Sequence, residues 1–227
     1  MFLASVSRKK YITVAALGVL VVASVLLGPR VAPVILDRLA SFSLPVPFTT
    51  QAPTGKWDNN ENCEEASAIM ANAYLTGYTA DELTVSSTQE SINILVKWEQ
   101  EHFGHTDNNG ADEIAQMIEG VFHLKTAQLK NFTSDDLKRE LLQHHVLILP
   151  ISMKLLGNPQ YPNNGQTYHV VVIRGFSLAG FRVNDPGLSS GKNNLYSFET
   201  LFRAAADWDS VNRALIGDRK VVISVWK

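Results

Sequence analysis

The spacing of apolar residues changes character twice along this chain. Residues 11–29 carry no charge, are mostly Val, Leu and Ala, and are bracketed by Arg8-Lys9-Lys10 and Arg30. Further on, the apolar positions become periodic. Within 62–76, Ala66, Ile69, Met70, Ala73 and Tyr74 recur at i, i+3, i+4, i+7 and i+8, which predicts an amphipathic helix. Asn62 and Glu65 stand at N-cap and N3, so Glu65 is expected to fold back toward Asn62, and Gly77 stops the helix. Two more helices are predicted over 91–103 (Ile92, Leu95, Val96, Trp98) and 111–121 (Ile114, Met117, Ile118, Val121). Thr133 caps a fourth, with Leu137 and Leu141 one turn apart. The helical period then disappears. Short apolar runs at 146–151, 168–174, 181–184 and 221–226 predict buried strands. Helices gathered ahead of strands predict an α+β domain with an antiparallel sheet.

Composition narrows this picture. The chain is 45% hydrophobic and 19% charged over 227 residues, which fits one globular domain, at most two. Its 20 basic and 22 acidic residues leave no positive excess to displace counterions from phosphates, so nucleic acid is not an expected partner. Ten Phe, 4 Trp and 6 Tyr can fill a core and exclude a disordered chain. A single cysteine excludes both a disulfide framework and a thiolate metal cluster.

The apolar run at 11–29 is close to the ~20 residues needed to cross a bilayer and longer than the ~7–15 of a secretory h-region. It predicts an uncleaved transmembrane anchor, with Val22-Ala23-Ser24 as the cleavage element of the alternative, a signal peptide. The basic cluster keeps 1–10 cytoplasmic and sends the rest outward, a single-pass protein of the cell membrane with its domain outside. Removing the four basic groups of the first thirty residues from 20 leaves 16 against 22 acidic, a mildly acidic body. The expected organisation is a basic segment at 1–10, the anchor at 11–29, a linker at 30–44 containing Pro33, and a domain at 45–227 opened by Pro45, Pro47 and Pro53.

The one cysteine stands at N1 of the first predicted helix. Free backbone N–H groups there favour an anion and lower a thiol pKa below its ordinary ~8.5, with Glu64 and Glu65 working against this if they point at the sulfur. Position alone serves an inert buried cysteine equally well. A nucleophile needs a base and a group to orient that base. Of six histidines, His169 opens the run Tyr168-His169-Val170-Val171-Val172-Ile173, and Asp185 ends the next strand before Pro186-Gly187. A hairpin centred on Ser177 opposes residues whose numbers sum to 354, as 169 and 185 do, and opposed side chains share a face. A surface ion pair is the plain alternative. Upstream, the Gln51 amide could donate to an oxyanion beside the backbone N–H of Cys63.

Other polar groups read as structural. His102-x-x-His105 with Asp107 has a zinc-like ligand count but lies in a turn-rich, Gly104-containing stretch. Asp107-Asn108-Asn109-Gly110 lacks the spaced acceptors of a calcium loop and reads as the turn leading into a helix. His144-His145 precedes a buried strand.

The pattern V-P-F-x-x-Q-A-P, W-D, C-E-E-A-S, then Y-H-V-V-V-I-R-G and N-D-P-G, resembles the papain-like cysteine peptidases of the bacteriocin-processing, peptidase C39-like type. It is most similar to the stand-alone, membrane-anchored or secreted bacterial members, over about 45–227. The resemblance implies a papain-like fold and a hydrolase acting on a peptide or protein substrate without cofactor or metal. It also implies Cys63 as nucleophile, His169 as base, Asp185 as its orienting group and Gln51 as an upstream donor. Transporter-fused members cut double-glycine leader peptides, and that substrate is not carried over. A catalytically silent peptide-binding relative is the alternative. A cell-wall amidase is a weaker one, because 106 residues separate Cys63 from His169.

Overall fold

The computed structural model describes residues 40–57, 61–161 and 167–227. The charged cluster, the uncharged run read as an anchor and residues 30–39 of the expected linker lie outside the described residues. Among those described, no helix is long and apolar enough to cross a membrane. The body is the unit Phe42–Lys227.

Nine strands and six helices occur among the described residues. In chain order they are β1 (Phe42–Ser43), α1 (Cys63–Leu75), α2 (Val85–His102), α3 (Ala111–Phe122), β2 (Lys125–Lys130), α4 (Ser134–Leu142), β3 (Val146–Ser152) and α5 (Met153–Leu156). They continue with β4 (Tyr168–Ser177), β5 (Gly180–Asn184), β6 (Asn194–Tyr196), α6 (Phe198–Ala204), β7 (Asp207–Asp209), β8 (Ala214–Ile216) and β9 (Val221–Trp226). The main sheet is antiparallel in the order β2-β9-β3-β4-β5-β6, with β1 added to β4, while β7 and β8 pair apart from it.

The four predicted strands all form. The strands β3, β4 and β9 are buried almost end to end, which is why they read as unbroken apolar runs rather than alternating ones. Pro150 is tolerated inside β3 because β9 pairs only with 146–148, and the Pro150 carbonyl accepts instead from Ala206 N–H at 3.1 Å. Helices do not all precede strands, since α4 and α6 are threaded among them. The papain-like ordering is thus looser than expected, although helix and antiparallel sheet are combined as an α+β domain.

Three local expectations are corrected. The second helix begins at Val85, not 91, because Thr84 caps it by accepting from Ser87 N–H at 3.3 Å. Its first turn is polar, so apolar spacing could not reveal it. The folded body starts at Phe42 rather than 45: β1 pairs with β4, and Leu44 N–H donates to the Arg174 carbonyl at 2.8 Å. Gly175 permits that crossing, since a Cβ there would lie 2.5 Å from the Phe42 carbonyl oxygen. Asn62 makes no side-chain cap bond, and Glu65 is buried instead of folding back toward it.

Candidate active site

Helix α1 lies against β4, where Ser67 Oγ donates to the Val170 carbonyl at 3.4 Å. This contact sets the helix N-terminus, with Cys63 as its first residue, beside the strand that carries His169. The segment after β1 runs along the end of β5. Asn184 Nδ2 donates to the Val46 carbonyl at 3.3 Å, and Gln51 N–H donates to the Pro186 carbonyl at 2.9 Å. A depression of about 200 Å³, lined in part by Phe48, Thr50, Pro53, Leu83 and Lys192, opens along this segment.

His169 and Asp185 meet directly, with Nε2 2.8 Å from Oδ1, and both are buried. The route differs from the expected one. Leu178 and Ala179 form the turn, so Ser177 faces Gly180, and a shift between Ile173 and Gly175 then sets Ile173 against Val183 and Val172 against Asn184. That register carried onward brings Gly187, not Asp185, opposite His169. A Cβ at Gly187 would lie 2.8 Å from His169 Cε1, so only glycine lets the ring sit there. Asp185 lies beyond β5, in a tight loop where its N–H donates to the Gly191 carbonyl at 2.8 Å, and its side chain reaches His169 from there.

Three donors converge on one Asp185 oxygen: His169 Nε2, the Tyr161 hydroxyl at 2.6 Å and Gly187 N–H at 3.0 Å. Burial by itself would raise this carboxyl. The His169 charge and these hydrogen bonds outweigh it and hold Asp185 below its ordinary value. With Nε2–H donating to Asp185, Nδ1 of His169 is the nitrogen left to accept a proton. The Tyr161 ring also packs edge-on against His169, with centroids 5.8 Å apart.

The nucleophile end is different. Cys63 is fully buried, and its thiol donates to Glu64 Oε2 at 2.9 Å. Burial first, then the Glu64 charge and that hydrogen bond, push the thiol well above its ordinary value. This reverses the lowering expected from the helix N-terminus: desolvation and a neighbouring carboxylate outweigh half a unit of dipole charge. Behind Cys63 lies a buried acidic group that sequence reasoning missed. Asn109 N–H donates to Glu64 Oε1 at 3.0 Å, Asn109 Nδ2 donates to Glu99 Oε1 at 2.8 Å, and Glu65 and Glu99 share a hydrogen bond. Burial pushes Glu64 up to about 7 and Glu99 to about 8, and raises Glu65 well above the carboxylate range.

Glu99 was detectable from its spacing, four residues after Leu95 and seven after Ile92, a charge on the apolar face of a helix. Tyr161 carried no such signal. Three of the other histidines have separate partners. His102 stacks on Trp98 at 4.0 Å, His105 Nε2 lies 3.3 Å from Glu113, and His145 lies 2.8 Å from Glu140. Among the described residues, no group of three or more His, Cys, Asp or Glu side chains is placed to hold a metal ion.

Residues 43–215 match the Peptidase C39-like family, a span that takes in Gln51, Cys63, His169 and Asp185. The chain belongs to the Peptidase C39-like family. Its fold is similar to a crystal structure described as a C39-like peptidase from Bacillus anthracis. The two share 17% identity and a TM-score of 0.54, and the match covers 82% of this chain and 98% of that one. At that identity the likeness concerns the fold. No curated protein matches the chain. Membership in this family supports a peptidase.

Proposed function

We propose that this family member is a cysteine peptidase that hydrolyses peptide bonds, with Cys63 as nucleophile, His169 as base, Asp185 orienting the imidazole and Gln51 donating to the oxyanion. The observation that carries the reading is the buried pairing of Asp185 with His169, which lies on the strand against which the Cys63 helix is laid. Cys63 Sγ attacks the carbonyl carbon as its proton passes to His169 Nδ1. The developing oxyanion is met by the Gln51 amide and the free N–H groups at the start of α1. His169 returns the proton to the leaving amine, and water then hydrolyses the thioester. Asp185 moves no proton; it fixes tautomer and ring orientation.

A second reading, a peptide-binding relative without turnover, draws on one observation, the buried and protonated Cys63. The two separate in one assay, in which a mixture of denatured proteins is incubated with the chain and new peptide termini are read by mass spectrometry. Wild type should generate termini, and Cys63→Ala and His169→Ala should each lower the rate by at least ~10³-fold while remaining folded. Wild type that generates none, or Cys63→Ala that matches it, sinks the peptidase reading.

The uncharged run at 11–29 behind Arg8-Lys9-Lys10 supports a membrane-anchored form with the peptidase domain outside the cell. Protease added to intact spheroplasts should then digest the domain, and full protection would reverse the orientation.

A further inference from the structure

The buried acid that the mechanism above does not use is Glu64, and it touches the reacting atom. Oε2 takes the hydrogen of Cys63 Sγ, and Oε1 is fixed by Asn109 N–H, so the carboxyl is pinned at both oxygens. Glu64 is 1% exposed and Cys63 0%. We propose that Glu64 restrains the nucleophile, holding Cys63 in its protonated form at rest, an inference that rests on Cys63 being the nucleophile.

Ionising the sulfur breaks the S–H bond, leaves the electron pair on sulfur and sends the proton to His169. With Glu64 charged, that step would leave an anion in contact with a carboxylate oxygen, where no solvent screens the pair. Every titratable neighbour of Glu64 bears on the balance. Glu65 on the same helix and Glu99 on α2 are acids that hold their protons, and so do not displace the thiol from Oε2. From β4, Tyr168 is a neutral hydroxyl that donates to the Asn109 carbonyl at 2.7 Å, with Asp207 and Glu113 beyond it. His169 acts on Glu64 with positive charge. It attracts both partners, so the Glu64 carboxylate competes with a Cys63 thiolate for the same imidazolium. The bond to Glu64 must therefore be given up before a Cys63–His169 ion pair can form.

The chain has a single cysteine, so alkylation by iodoacetamide followed by mass spectrometry reports Cys63 alone. In Glu64→Gln the amide keeps the shape and can still accept from Asn109 N–H, but it carries no charge. Its alkylation rate at mildly alkaline pH should exceed that of wild type by about tenfold or more, the effect of lowering the thiol pKa by about one unit. An equal or slower rate overturns the proposal. A second measurement does not depend on the variant folding: thiolate absorbance in the wild type should set in above the ordinary cysteine range, and onset within or below that range overturns the proposal as well. Both readouts report the sulfur's proton rather than turnover. A failure of the peptidase reading appears in the peptide-termini assay, and a failure of this one in the alkylation rates.

Discussion

Asp185 and Glu64 are both fully buried carboxyls at the ends of the same candidate site, yet their proton affinities are shifted in opposite directions. Asp185 stays charged because three donors, one from an imidazole that can carry charge, meet a single oxygen. Glu64, Glu65 and Glu99 together draw on the N–H and Nδ2 of one asparagine, on a thiol and on the backbone N–H groups of Glu64 and Glu65 themselves, and burial still prevails at each of them. Burial is common to both ends. The supply of donors and nearby positive charge decides which way each acid shifts, and loops contribute to it at both ends, the Asp185-Pro186-Gly187 turn in one case and Asn109 ahead of α3 in the other.

The strongest way to break the contrast is to remove the charged end. Asp185→Ala leaves His169 without its acceptor and should lower kcat by roughly 10²–10⁴-fold, the range over which a mis-set imidazole costs a serine triad. Asp185→Asn should lose less, since an amide oxygen still accepts from Nε2–H. Rates on a cleaved peptide decide this. If Asp185→Ala is folded and fully active, another acceptor orients His169.

The end whose acids are shifted upward should reveal itself as a slope of stability against pH. Glu64, Glu65 and Glu99 bind protons more tightly in the native state than in the unfolded one. Their contribution is complete below the ordinary carboxylate value of 4.5 and is lost as pH rises through about 7 and 8. Asp185 has the opposite sign: its contribution is present above its unfolded value and is lost as pH falls through its depressed native value. The melting temperature should therefore decline from about pH 5 to about pH 8, and Glu99→Gln should flatten the decline, gaining on the order of 2 kcal/mol at the alkaline end. An unchanged slope in thermal scans would show that the three acids do not hold protons as a group.

The smallest effect tests donor supply itself. Tyr161→Phe removes one of three donors from Asp185 while keeping the ring against His169. The carboxyl should then protonate at higher pH, moving the acid limb of the activity profile upward, with kcat reduced by about tenfold at most. An unmoved limb would mean that two donors suffice.

How much of this could be read from the sequence varied with the range of the interaction. The apolar periods of α1 and α3 and the runs at 146–151 and 221–226 reflect burial, which is written residue by residue, and those elements form where expected. The start of α2 was hidden because a polar first turn leaves only its Thr84 cap as a signal. The proximity of His169 and Asp185 was foreseen from a register the molecule does not adopt. The shift near Arg174 displaces the hairpin, and the loop closing at Gly191 returns the Asp185 side chain to the ring.

The sequence by itself determined the kinds of element, the span of the family match and the residue types able to serve as nucleophile, base, orienter and oxyanion donor. The tertiary structure alone decided their protonation. A thiol at a helix N-terminus reads as acidic when only the helix dipole is counted, and Cys63 is instead held as a thiol by burial and by the carboxyl of the next residue. Local pattern can specify which groups a segment carries, but a proton's free energy depends on the water excluded and the donors supplied by every segment around it, and those converge only when the chain is folded.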